Sequence, residues 1–142
     1  MAATGHAKWT GDLDSGSGTL DSGTGAVQGE YSAASRFADG EGTNPEELIA
    51  TAHAACFSMA LSLVLGGAGH VPESIETDAR AYIRRAGDGF EIHKIELETV
   101  GDVPGIDAEE FQGYAEAAKG GCPVSKALAG VPEVTLTARL AG

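Results

Sequence analysis

The sequence predicts an α+β fold in which antiparallel sheets pack on one long helix. Three observations carry this. Residues 48 to 65 are apolar on nearly every face, with polar groups only at Thr51, His53, Ser58 and Ser62 and a thiol at Cys56. Residues 75 to 83 alternate, with Ile75, Thr77, Ala79, Ala81 and Ile83 in one phase and Glu76, Asp78, Arg80 and Tyr82 in the other, as a half-buried strand does. The elements also come in groups (strands, long helix, two strands, two helices, strand), an order that suits α+β better than strict βαβ alternation.

The first forty residues are rich in Gly, Ser and Thr. They hold short β-type runs at 6 to 13, 17 to 20 and 30 to 37, separated by turn residues. The loop ADGEGTNPEE then opens the long helix. Asn44 suits the N-cap, Pro45 the first helical position, and Glu46 and Glu47 the positive end of the dipole. Asn44 with Glu47 three residues on has the spacing of a capping box. Gly66-Gly67 stops the helix. AGDG at 86 to 89 has hairpin chemistry, and the chain returns along 90 to 99. There Phe90 and Ile92 share one phase and Ile95 and Leu97 the other. That slip predicts either a bulge near His93 or a strand covered on both faces. A second helix is capped by Asp107 and closed by Gly120-Gly121, with Phe111, Tyr114, Ala115 and Ala118 toward the core. A short third helix starts at Cys122-Pro123. A final strand spans 132 to 140, with Val134, Leu136, Ala138 and Leu140 inward.

At 142 residues, with 42% hydrophobic and 21% charged residues, the chain has the size and composition of one globular domain, residues 1–142. A net charge of −12 repels phosphate backbones and anionic membrane surfaces, so neither nucleic acid nor a membrane is an expected partner. The 18-residue apolar run touches the lower limit for a membrane span. However, it is Ala-rich, contains His53 and lacks basic flanks. It therefore reads as a central helix wrapped by other elements or by another subunit. No basic stretch leads into an apolar core at the N-terminus, so no secretory signal is read and the cytoplasm is the expected location.

Two cysteines, Cys56 and Cys122, lie outside any C-x-x-C motif, and His6, His53, His70 and His93 are scattered. No metal site is expected. Buried inert thiols are one reading and a redox pair the other. A thiol reacts as its thiolate. Cys122, at the start of a helix, has N–H groups at hand to stabilise an anion. Cys56, mid-helix, has none and would need a cation brought to it.

The runs GTNPEELIATAHAACFSMALSL, VPGIDAEEF and AKGGCPVSKAL, in this order and spacing, resemble the OsmC branch of the OsmC/Ohr family of osmotically inducible and organic hydroperoxide resistance proteins. The likeness extends from Trp9 to Leu140. It implies an intertwined homodimer whose sheets wrap paired central helices, and a cysteine-based peroxidase acting in stress defence. By resemblance, Cys56 is the peroxidatic thiolate, which becomes a sulfenic acid, and Cys122 resolves it as an intramolecular disulfide. Glu46 and Arg36 match the family's acid and arginine, the arginine supplying the missing cation and the glutamate holding it. The resemblance also implies an external dithiol, such as that of a lipoylated protein, as reductant, and no bound cofactor.

Ten residues of straight helix separate Glu46 from Cys56 by roughly 15 Å, so the two cannot touch within one helix. Groups from both subunits are therefore expected to build each site. Phe57, Met59 and Leu63 offer an apolar lining suited to an alkyl hydroperoxide. His53, one turn before Cys56, reads as a core histidine rather than half of a Cys-His dyad. The competing function is a hydrophobic-ligand-binding dimer whose thiols are incidental.

Overall fold

The computed structural model describes all of residues 1–142. The chain divides into two compact units, residues 1–48 and 49–142, with the boundary in the first turn of the long helix.

The first unit is an antiparallel meander of β1 (Gly5–Thr10), β2 (Ser17–Ser22) and β3 (Gln28–Tyr31), in that spatial order. The run 30 to 37, expected as a strand, splits after Tyr31. Residues Ala33–Phe37 form a short helix, α1. Ser32 is the reason: its hydroxyl accepts from the Ser35 N–H, and the Ser35 hydroxyl accepts from the Ser32 N–H, a reciprocal cap that turns the chain out of the sheet. The unit ends with the first turn of α2 (Pro45–Gly67), where Asn44 Oδ1 accepts from the Glu47 N–H at 2.8 Å.

The second unit holds the rest of α2, the sheet β4 (Ser74–Ala86), β5 (Gly89–Asp102) and β6 (Glu133–Leu140), and helices α3 (Ala108–Gly121) and α4 (Pro123–Ala127). β4 and β5 form a hairpin through Gly87-Asp88. Gly87 sits at φ +59°, which a two-residue turn requires at its first position. The register shifts between Tyr82↔Lys94 and Ile83↔Ile92, leaving His93 as the extra residue. This is the bulge that the phase slip foretold. The expectation of purely antiparallel sheets is corrected here, because β6 runs parallel to β5. Two helices intervene between these strands, and a connection of that length carries the chain back to the end where β5 began. Asp107 caps α3 as expected, and the Glu110 carboxylate accepts in return from the Asp107 N–H, completing a capping box.

The core of this unit joins Phe57, Leu61 and Leu65 of α2 to Ile95 and Leu97 of β5 and to Phe111, Ala115 and Ala118 of α3. The tip of the Phe111 ring lies over Gly101, where an added Cβ would come to 2.5 Å from Cζ. By length and composition α2 could cross a bilayer, yet it buries one face against this sheet and α3. Within one chain the covering reaches that face alone. Met59 and Leu63, on the opposite side, are 75% and 78% exposed. An all-apolar helix announces that it must be covered, not by which chain.

Candidate active site

Each unit contributes one pair of candidate residues. In the first, the capped α1 places Arg36 in its last turn. The α1 backbone is tied to the start of α2 by Asn44 Nδ2 donating to the Ser35 carbonyl (3.1 Å) and by the Ser35 hydroxyl donating to the Thr43 carbonyl (2.8 Å). Glu46, on the first turn of α2, is thereby held against Arg36. The guanidinium donates from Nη2 to Oε1 at 2.7 Å and from Nε to both carboxylate oxygens at 3.2 Å. Glu46 is buried, and Arg36 keeps 36% of its side chain exposed. A buried carboxylate with a planar fork of donors fixes its partner's orientation as well as its position. Beside it, within the same unit, an apolar pocket of about 280 Å³ is lined by Trp9, Leu13, Tyr31, Arg36, Phe37 and Pro45.

In the second unit, Cys56 Sγ and Cys122 Sγ lie 3.0 Å apart, both reduced. The core packing of α2 and α3 produces this approach across 66 residues of chain. Cys122 is fully buried and Cys56 half-buried. Cys122 is both the last residue of α3's cap and the N-cap of α4, and its sulfur accepts from the Ser125 N–H at 3.5 Å. Burial pushes both thiols up, but their other neighbours differ. Cys56 is raised further by sharing a proton with Cys122, and only the Val124 N–H opposes this. At Cys122 burial is outweighed by the Cys56 thiol, by the Ser125 N–H and hydroxyl and by the Val124 N–H, so its pKa falls below the ordinary value. The pair thus gives up its first proton from Cys122, as its place at a helix start predicts. No cation is among the groups that set Cys56.

The structure brings together Cys56 with Cys122 and Arg36 with Glu46. It also corrects one expectation about the substrate lining, because Phe57 is fully buried in the core and lines no surface. Sequence reasoning missed Ser125. His53, fully buried, reaches it with Nε2 at 2.8 Å from Oγ, while Nδ1 has no partner. The only available signal was the position of Ser125 at the third residue of a helix begun by Cys122-Pro123.

Peroxiredoxin OsmC of Escherichia coli (strain K12) is 50% identical over 137 residues, covering 96% of this chain and 94% of its own. The organic hydroperoxide resistance protein of Xanthomonas axonopodis pv. citri (strain 306) is 39% identical over 101 residues, covering 70% and 69%. Among solved structures, an organic hydroperoxide resistance protein from Elizabethkingia anophelis superposes with a TM-score of 0.74 at 28% identity, covering 100% of this chain and 98% of that one. Residues 38–137 match the family model described as OsmC-like protein, and with half its residues shared with an OsmC over nearly the full length, the chain belongs to the OsmC-like family.

Proposed function

We propose that the chain is a thiol peroxidase that reduces organic hydroperoxides to alcohols in defence against oxidative stress, with residues 1–142 working as one OsmC-like domain. The observation that carries this reading is the 3.0 Å separation of the two sulfurs, since a dithiol so close can be oxidised to a disulfide with little displacement. Relatives named peroxiredoxin and organic hydroperoxide resistance protein support it.

In the proposed reaction the Cys56 thiolate attacks the distal peroxide oxygen. The O–O bond breaks, the alkoxide leaves and takes a proton to become the alcohol, and Cys56 retains the hydroxyl as a sulfenic acid. The Cys122 thiolate then attacks that sulfur. An S–S bond forms, the S–O bond breaks, and hydroxide departs as water after protonation. An external dithiol, of which a lipoylated protein is one candidate, returns two electrons and restores both thiols. Arg36 takes the role that the resemblance assigns to it, a cation that favours the Cys56 thiolate, and Glu46 orients its guanidinium. The apolar pocket bordered by Arg36 suits an alkyl tail and offers little to hydrogen peroxide.

A second copy of the chain covers the exposed side of α2 in this reading, and the protein works in the cytoplasm. Mixing Cys56→Ser and Glu46→Ala chains tests whether sites are shared between subunits: activity recovers in the heterodimer if they are.

The function itself is tested by titrating reduced protein with cumene hydroperoxide. One equivalent should consume two thiols, and faster than one equivalent of hydrogen peroxide does. Undiminished peroxide consumption by Cys56→Ser would refute the assignment.

A further inference from the structure

His53 is a fully buried side chain to which the proposed reaction gives no task, and its only hydrogen-bond partner is Ser125, 72 residues away. Ser125 in turn faces the resolving sulfur, with its amide 3.5 Å from Cys122 Sγ. The Ser125 hydroxyl that His53 holds is also among the groups that favour the Cys122 thiolate, so the three residues lie in series from the α2 interior to the sulfur that must attack oxidised Cys56.

The direction of the path follows from the orphaned ring nitrogen. His53 Nδ1 is buried with no partner, so a proton there would be a donor stranded without an acceptor. Placing the single ring proton on Nε2 satisfies it through Ser125 Oγ at 2.8 Å. The hydroxyl oxygen is then engaged as an acceptor, and its own proton is free to point at Cys122. Two donors in series, Nε2–H to Oγ and Oγ–H to Sγ, favour negative charge on the sulfur. Burial lowers the His53 pKa, so the ring stays neutral and keeps this orientation at neutral pH.

We propose that His53 and Ser125 are positioning residues for the resolving step: His53 holds the Ser125 hydroxyl aimed at Cys122, so that this sulfur is already an anion when Cys56 becomes oxidised. Neither residue touches the peroxide. The proposal rests on the assignment of Cys122 as resolving thiol, but its test does not. The other titratable groups close to the path are Cys56 on α2, Lys119 on α3 and Lys126 on α4. Lys119 is engaged with the Val134 carbonyl at 3.0 Å.

The test titrates Cys122 alone, in a Cys56→Ser background, by thiolate absorbance and by alkylation rate against pH. Loss of one hydrogen bond to a charged sulfur is worth about one pKa unit, a tenfold change in ionisation. Ser125→Ala should raise the Cys122 pKa by about that much, and Ser125→Thr, which keeps the hydroxyl, should restore it. His53→Leu, close in volume and without an unmet polar group, should shift it in the same direction by about half a unit.

With Cys56 present, the conversion of sulfenic acid to disulfide, followed by dimedone competition, should slow about threefold in Ser125→Ala at a pH below the parent Cys122 pKa, where a one-unit rise costs about tenfold in thiolate and the greater nucleophilicity of a more basic sulfur offsets part of it. In the parent protein, which needs no variant to fold, ring nitrogen NMR should find His53 neutral with its proton on Nε2. A Cys122 titration unmoved by Ser125→Ala, a shift in Ser125→Ala with none in His53→Leu, or a ring proton on Nδ1 each overturns the proposal. Absence of any sulfenic acid on Cys56 in the parent would instead sink the peroxidase assignment and leave the titration of Cys122 to be judged by itself.

Discussion

The Arg36–Glu46 pair makes a quantitative demand on folding stability. Its two members differ in burial: Glu46 is 6% exposed, whereas the Arg36 side chain keeps 36%. A wholly exposed ion pair is worth about 0.2–1 kcal/mol, and a hydrogen bond to a buried charged group about 1.5–3 kcal/mol. With three donor contacts on one buried carboxylate, the coupling should fall nearer the second range, at about 2 kcal/mol. The burial asymmetry adds a sign. Arg36→Ala strands a carboxylate away from water, whereas Glu46→Ala leaves a guanidinium that can still hydrate. The arginine variant should therefore lose at least as much stability. Urea unfolding of the parent, Arg36→Ala, Glu46→Ala and the double variant closes the cycle. A coupling below about 0.5 kcal/mol, the limit of ordinary additivity, would refute the reasoning, as would a glutamate variant clearly weaker than the arginine one.

Three further outcomes are expected. Cys122→Ser should still take up one peroxide equivalent but stop at the sulfenic acid of Cys56, which dimedone labelling and mass spectrometry detect. Gly101→Ala should cost about 1–3 kcal/mol in urea unfolding, because its new methyl meets the Phe111 ring, which is fully buried and has nowhere to move. Stability should also fall on mild acidification. Burial depresses the folded His53 pKa, so below its ordinary 6.5 the unfolded chain binds the extra proton first; the contribution is complete above that pH and declines as pH drops through the window beneath it. His53→Leu should flatten that part of the pH–stability curve, measured by urea unfolding between pH 7 and 5.

Local chemistry made much of this molecule legible in advance. The bulge at His93 could be read because a strand with one buried face cannot hide a phase change, and Phe90/Ile92 against Ile95/Leu97 is such a change. The caps at Asn44 and Asp107 follow from short polar side chains meeting free N–H groups. What escaped depended on contacts between distant residues or on competing local signals. The parallel pairing of β6 is permitted by the length of its connection, and nothing in its own alternation differs from an antiparallel strand. The helix at Ala33–Phe37 was masked by the β-type character of EYSAASRF, although Ser32 and Ser35 stood three apart as capping partners do. For the candidate site, resemblance supplied Cys56, Cys122, Arg36 and Glu46, whereas the link from His53 to Ser125 spans 72 residues and carries no local pattern.

The unequal exposure of the two sulfurs bears on how an oxidised molecule would be recycled. Cys122 lies wholly inside and Cys56 only half so, which leaves one side of an eventual disulfide open to an incoming thiol. Attack at Cys56 would expel Cys122, and the better-stabilised anion is the better leaving group. The same donors that ready Cys122 to close the bond would then help it depart. A mixed disulfide trapped between this protein and its reductant should therefore be found on Cys56.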